Sequence, residues 1–272
     1  SSEEIKMKIG FIGLGNMGGS LARLVTQDER IRSELLLANR SRDKAEKIAA
    51  EVGGQPVSNE EVFAQAEVIF LGIKPAQFAD LLAEYQEILE KRDSLLLVSM
   101  AAGLPLELLE KLTPSHHRWI RIMPNTPVAV GEGVITYALS QQANQADEDL
   151  LRELLSSAGL LVKLEEKQLD AATALAGCGP AFVYLFIEAL ADAGVRAGLS
   201  RDIALQLANQ TLLGAAKLGQ VSGQHPAQLK DQVCSPAGST IAGVASLEEN
   251  AFRGTVMDAV QAAYKRTQEL GK

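Results

Sequence analysis

Two glycine-bearing stretches at opposite ends of the chain have the residue types and spacing to hold charged small molecules. Near the start, IGFIGLGNMGGSL sets glycines at positions 13, 15 and 18, with Asn16 and Met17 between them. Gly13 allows a tight turn, Gly15 lets a pyrophosphate approach the backbone, and Gly18 lets a helix pack closely on a strand. Exposed N–H groups and the dipole of a helix beginning near Asn16 then attract phosphate. Near the end, VCSPAGSTIAG gathers small and hydroxyl residues around one proline, with no charge. Ser239 or Thr240 suits the N-cap of a helix over STIAGVASLEE. Gly238 frees the backbone to aim its N–H groups at one point, and such a helix start binds an anion such as a carboxylate. The Thr240 hydroxyl can also donate or accept a proton. An ordinary capped helix start accounts for the same residue types, so this reading stays open on sequence alone.

These stretches need elements to position them. KIGFIG (Lys8–Gly13), LLLANR (Leu35–Arg40), EVIFLGI (Glu67–Ile73), SLLLVSM (Ser94–Met100) and RWIRIM (Arg118–Met123) read as strands separated by helical segments. Near-continuous apolar strands of this kind form a parallel sheet covered on both faces, a doubly wound Rossmann-type α/β domain. EGVITYAL (Glu132–Leu139) and GLLVKLE (Gly159–Glu165) add edge strands, with a helix at Asp147–Ser157 between them. The glycine motif follows a strand and opens a helix, which is the context that gives it meaning.

Ligands in this fold lie beyond the carboxyl ends of the strands, where strand order reverses. The second strand ends in Asn39, Arg40 and Ser41, where an NAD-preferring chain carries an acid on the ribose diol. An arginine there suits a 2′-phosphate through charge-assisted hydrogen bonds, so NADPH is expected, with NADH possible. Lys74 and Pro75 in GIKPAQ fall on the same rim, and so do the small residues of SMAAG. MPNTP (Met123–Pro127) makes a rigid loop there with hydrogen-bonding tips.

Past about Lys167 the strand signal stops and alanine- and leucine-rich helices follow, with breaks at GCGP, AGLS, SGQHP and SPAGS. Two domains are expected, residues 1–167 and 168–272. Alanine-rich helices pack closely, and these carry more apolar face than one small bundle needs, which points to cover by a second subunit. The uncharged run Ala171–Ile187 is shorter than the roughly 20 apolar residues of a membrane span and is broken at Pro180.

The chain has 272 residues, 47% of them apolar, and a net charge of −8. That balance is globular and disfavours broad binding to nucleic acid or anionic membranes. The two cysteines, Cys178 and Cys234, form no C-x-x-C pair. No metal site is expected, and a reducing cytoplasmic location fits. The polar SSEEIK at the start has no apolar stretch and does not read as a signal peptide. His116, His117 and His225 precede a strand or a proline and read as loop or cap residues.

SPAGSTIAGVASLE preceded by HPAQLKDQV, together with MPNTP…GEG, LAGCGPAFVY and IKP, resembles the signatures of pyrroline-5-carboxylate reductase in their expected order. The resemblance covers the chain from Lys8 onward. It implies reduction of 1-pyrroline-5-carboxylate, a cyclic imine carboxylate, to L-proline by NAD(P)H, the last step of proline synthesis. It also implies a homodimer interlocked through the C-terminal helices, or a ring of such dimers. Ser235, Gly238, Ser239 and Thr240 would hold the substrate carboxylate, with Thr240 facing the ring nitrogen and Met123 and Asn125 completing the substrate site. Asn59, Lys74, Pro75 and Ala102 match cofactor-contacting positions. Gln232 and Gly223 depart from the family pattern and are held out of the site. A β-hydroxyacid dehydrogenase shares GLGNMG, but GCGPAFVYLFIEAL lacks the lysine expected of it. A non-catalytic dinucleotide sensor would have no need of a carboxylate cradle.

Overall fold

Strands β1 (Ile9–Ile12), β2 (Leu35–Ala38), β4 (Val68–Leu71) and β5 (Leu96–Ser99) are buried at every position. Strands without a wet face need helices on both sides of the sheet. The computed structural model describes residues 7–29 and 35–271, so the polar stretch Ser1–Lys6 lies outside the described residues. With β3 (Gln55–Pro56), β6 (Arg118–Pro124), β7 (Gly133–Leu139) and β8 (Gly159–Lys163), the strands form an eight-stranded sheet of order β3-β2-β1-β4-β5-β6-β7-β8. All neighbours are parallel except β6 and β7. The chain leaves β1 toward β2 and β3, then returns to β4 on the other side. This is the Rossmann-type order, with its switch point between β1 and β4.

The short β3 was not legible in the sequence: glutamine and proline have little strand preference, and Leu36 and Leu37 of β2 supply the pairing. One face packs α1 (Asn16–Val25) and α2 (Arg42–Val52) onto Phe11, Phe70, Leu37 and Val98. Phe11 and Phe70 stack there with ring centres 4.6 Å apart. The other face gathers Phe63, Phe78, Leu89, Leu109 and Leu169 from α3 (Asn59–Gln65), α4 (Phe78–Glu84), α5 (Gln86–Lys91), α6 (Leu106–Lys111) and α8 (Leu169–Ala172) around Trp119 and Leu97. The helix of the outer strands, α7 (Gln145–Leu154), starts two residues before the expected Asp147. Asn144 accepts the Asp147 N–H at 3.0 Å, while Asp147 accepts the Asn144 N–H at 2.9 Å.

Two compact units emerge, residues 1–177 with 264–272, and residues 178–263. The second is wholly helical: α9 (Gly179–Arg196), α10 (Arg201–Ser222), α11 (Pro226–Val233), α12 (Ser239–Glu249) and the first part of α13 (Phe252–Leu270). Its buried apolar residues are Ala191, Ala204 and Ala208, with Ile187, Leu190 and Leu205 beside them. A Cβ on Gly194 would come within 3.1 Å of the Ala204 Cβ, so small residues set how closely α9 and α10 pack. Among the described residues one helical run, Glu166–Arg196, is long and apolar enough to cross a membrane, and little of it is buried.

Candidate active site

A cleft of about 780 Å³ opens at the switch point, lined by Gly13 and Gly15, by Asn39, Arg40 and Arg42 after β2, by Ser58 and Asn59 before and in α3, and by Lys74 after β4. Three different physical reasons hold the three motif glycines in place. Gly13 has φ +93°, and a Cβ there would strike the Gly72 carbonyl oxygen. Gly18 is buried, and its Cβ would strike the Gly13 carbonyl oxygen. Around Gly15 a Cβ would meet nothing within 4 Å. Packing therefore does not require glycine at position 15, and the open space beside the backbone leaves room for close approach of a pyrophosphate.

The second rim is built around Asn39. Its Oδ1 accepts the Leu14 N–H at 2.9 Å and its Nδ2 donates to the Ser41 carbonyl at 3.1 Å. The amide thus ties the end of β2 to the glycine turn. Arg42 pairs with Glu46 along α2 at 3.4 Å. Arg40 has no ion-pair partner among the described residues and lines the cleft with an uncommitted guanidinium. Ser58 and Glu61 form a capping box that fixes the start of α3 and presents Asn59 to the cleft. On the fourth side, the Lys74 N–H donates to Gln77 Oε1 at 3.2 Å, which closes the turn into a short 3₁₀ segment, Pro75–Gln77.

Of the expected dinucleotide contacts, Gly13, Gly15, Asn39, Arg40, Asn59 and Lys74 line this cleft, while Asn16, Met17, Gly18, Ser41, Pro75 and Ala102 lie outside its lining. Gly18 serves packing instead, Met17 packs against the core, and Ala102 is exposed beyond β5. Sequence reading missed Ser58, Gln77, Asp80 and Glu84. The S-x-x-E pattern at Ser58 was a usable signal. The face of α4 was not, because only the sheet order brings it beside β2.

The Met123–Pro127 loop leaves β6 and continues as a 3₁₀ segment, Thr126–Val130, closed by Gly131 at φ +73°. Met123 is half-buried, and Asn125 is 8% exposed with its side-chain amide engaged at both ends by main chain.

In the second unit the turn Ser235–Gly238 joins α11 to α12. The N-cap of α12 is Gly238, not Ser239 or Thr240, which instead begin the helix proper. Gly238 has φ −82°, an ordinary value, and Ala237 takes the left-handed conformation at φ +58°. Position 238 is nevertheless crowded: a Cβ there would meet the rotatable Ser235 Oγ and lie 3.2 Å from the Ser235 carbonyl oxygen. No side chain caps α12, so the first-turn N–H groups of Ser239 and Thr240 remain available at the positive end of its dipole. Gly223 ends α10 at φ +64°, and Gln232 Nε2 donates to Gln224 Oε1 at 3.1 Å.

The histidines are structural. His225 caps α11 by accepting the Ala227 N–H at 3.1 Å. His117 is buried, with Nδ1 accepting the Leu95 N–H at 3.0 Å and Nε2 donating to the Leu89 carbonyl at 2.6 Å. Burial holds its pKa below the usual value of 6.5. Both cysteines are free thiols. Among the described residues no cluster of metal-ligating side chains is present.

Residues 166–270 match the family model described as pyrroline-5-carboxylate reductase dimerisation, and residues 8–103 match that described as NADP oxidoreductase, coenzyme F420-dependent. A pyrroline-5-carboxylate reductase of Pisum sativum is 45% identical over 264 residues, covering 96% of this chain and 95% of its own. This chain belongs to the pyrroline-5-carboxylate reductase family. The Plasmodium falciparum pyrroline carboxylate reductase, solved with NADP bound, superposes with a TM-score of 0.86 at 36% identity, covering 98% of this chain and 99% of its own. The Coxiella burnetii pyrroline-5-carboxylate reductase reaches a TM-score of 0.92 at 31% identity, with 98% and 99% covered. The reductase is accordingly an NAD(P)H-dependent oxidoreductase that uses NADPH, in the family that performs the last step of proline synthesis.

Proposed function

We propose that this chain reduces 1-pyrroline-5-carboxylate to L-proline as a homo-oligomer in the cytoplasm, with residues 1–167 holding NADPH and residues 168–272 supplying the dimer contacts and the carboxylate cradle. The observation that carries this reading is the pair of prepared anion sites: the open backbone at Gly15 and the uncapped start of α12. The start of the dimerisation match at residue 166 supports the boundary.

The cofactor's chemistry, when it is bound, is donation of a hydride. Gly13, Gly15 and the start of α1 hold its pyrophosphate, with Asn16, Met17 and Gly18 shaping that turn. Arg40 and Ser41 take the 2′-phosphate through charge-assisted hydrogen bonds, and Asn39 holds the rim. Asn59 and Lys74 form the wall of the cleft, Pro75 stiffens the turn behind Lys74, and the small Ala102 beyond β5 leaves room for the nicotinamide. The N–H groups of Ser239 and Thr240 hold the substrate carboxylate, while Ser235 and Gly238 shape the turn and Met123 packs against the ring. The Thr240 hydroxyl faces the ring nitrogen and relays its proton. With the ring nitrogen protonated, the imine carbon is a better hydride acceptor, so orientation and exclusion of water are the main demands, and orientation can contribute about 7–11 kcal/mol.

The apolar side chains of the helical unit, Glu166–Arg196 included, are read as covered by a second copy and not by lipid. Support comes from the dimerisation match and from Glu188, Asp192 and Arg196 within α9. Two free cysteines fit a reducing cytoplasm, and a net charge of −8 gives no basis for nucleic-acid binding.

Initial rates of NADPH and NADH oxidation with 1-pyrroline-5-carboxylate test the reading. Turnover to proline is expected, faster with NADPH, with the cofactor ratio reporting on Arg40. A folded protein without turnover on either cofactor removes it.

A further inference from the structure

Pro180 leaves a carbonyl without its helical donor. In a regular α-helix the N–H of residue 180 would donate to the carbonyl of residue 176, but proline has no N–H. The chain is wound as a π-turn over Thr173–Gly177, and the N–H one residue further on, that of Ala181, donates to the Cys178 carbonyl at 3.1 Å. The donors four and five residues ahead of Ala176 are thus both lost to it, and a half-buried carbonyl without a partner is costly. The missing donor comes from far away in sequence: Asn125 Nδ2 donates to the Ala176 carbonyl at 3.0 Å.

The other end of the same amide is also committed. Asn125 Oδ1 accepts the Val134 N–H at 2.7 Å, and the Asn125 N–H donates to the Val134 carbonyl at 3.0 Å. A side chain that is 8% exposed therefore joins three segments: the Met123–Pro127 loop, the start of β7, and the Thr173–Gly177 turn. An amide offers a donor at one end and an acceptor at the other at any ordinary pH. Aspartate presents two acceptors, one of them against a carbonyl.

We propose that Asn125 is a positioning residue and not a substrate ligand: it locks the Met123–Pro127 loop to β7 and to the π-turn, so that the substrate meets a loop of fixed shape. The proposal rests on the reductase reading and deepens it. Asn125 acts through the loop, so its loss falls on the use of 1-pyrroline-5-carboxylate and not on NADPH binding at the switch-point cleft.

Asn125→Asp tests this through its pH profile. The ionised carboxylate cannot donate to Ala176, whereas the protonated acid can. Burial beside a carbonyl raises the pKa of that group. The ratio of kcat/KM for 1-pyrroline-5-carboxylate, variant over wild type at saturating NADPH, should rise at least about fivefold between about pH 8.5 and about pH 6. NADPH affinity, read by cofactor fluorescence, should stay within about twofold of wild type across that range. A flat ratio, or a parallel loss of NADPH affinity, overturns the proposal. Should that variant fail to fold, Asn125→Ala replaces it. It should lose about tenfold in kcat/KM, and adding Pro180→Ala should recover part of the loss by restoring an N–H ahead of Ala176. No recovery overturns the proposal equally. Wild-type turnover is measured first: its absence removes the reductase reading and this proposal with it, whereas a flat ratio in an active enzyme removes the proposal alone.

Discussion

In the sheet-bearing unit Phe11, Phe70, Trp119 and Tyr137 are fully buried by helices and strands of the same chain. In the helical unit the buried apolar side chains are Ala191, Ala204 and Ala208, while Leu185, Leu207, Leu213, Val221 and Met257 are 54–72% exposed. The first unit closes its own core. The second leaves most of its large apolar side chains exposed. The prepared anion sites follow the same division, since the cleft is walled by several elements of the first unit, while the uncapped start of α12 stands on an exposed turn. The proposed reading therefore puts cofactor binding in the unit that completes itself and makes turnover depend on assembly through the other.

The comparison can be broken most severely at the uncovered surface. Leu207→Asp with Leu213→Asp places charges where a second copy is expected to pack. Light scattering should show the mass falling to that of a monomer, with turnover reduced about a hundredfold or more. NADPH affinity should change less than about twofold, because the cleft belongs wholly to the other unit. A variant that stays dimeric and active would show that the surface is not an interface.

The glycine motif sharpens the contrast within the first unit. Gly18→Ala drives a methyl group into the Gly13 carbonyl, so thermal or denaturant unfolding should show a loss of about 2 kcal/mol together with weaker NADPH binding. Gly15→Ala meets open space. Its stability should stay within about 0.5 kcal/mol, while NADPH affinity falls about tenfold by titration. Equal stability loss in the two variants would refute the division of roles.

On the helical side, Thr240→Ala should lower kcat by about tenfold or more without lowering the melting temperature. Unchanged kinetics would leave the start of α12 as a structural turn. The smallest effect lies in the first unit. His117 has a folded pKa held below 6.5, so its stabilising contribution is complete above pH 6.5 and is lost as pH falls through the folded value. The stability of the folded state should fall over that window, and His117→Gln should flatten the slope. A wild-type slope that survives the substitution would assign the acid sensitivity elsewhere.

Much of this was legible in the residues because local rules agree with the global fold. Apolar runs bounded by helical stretches marked the principal strands, and G-x-G-x-x-G after a strand marked the turn that opens α1. Arg40 was visible as the residue standing where an acid would exclude a 2′-phosphate. One local assignment failed: Gly238, not Ser239 or Thr240, caps α12, and the left-handed residue of the turn is Ala237. Sequence patterns rank residue types, but which neighbour bears the turn depends on what its Cβ would hit.

By itself, then, the sequence determined the α/β order, the helical second half, the glycine turn that opens α1 and the family. Each is written in periodicity, in turn chemistry or in a contiguous motif. Tertiary structure alone decided the rest. It placed Asp80 and Glu84 of α4 on the wall of the cleft, engaged the Asn39 amide with the glycine turn, and spent the Asn125 amide on Val134 and Ala176. The reason is that an orphaned backbone group or a cleft wall finds its partner wherever the sheet order brings one. Asn125 and Ala176 are distant in the chain, and the donor that Pro180 removes is replaced only once the fold has brought them together.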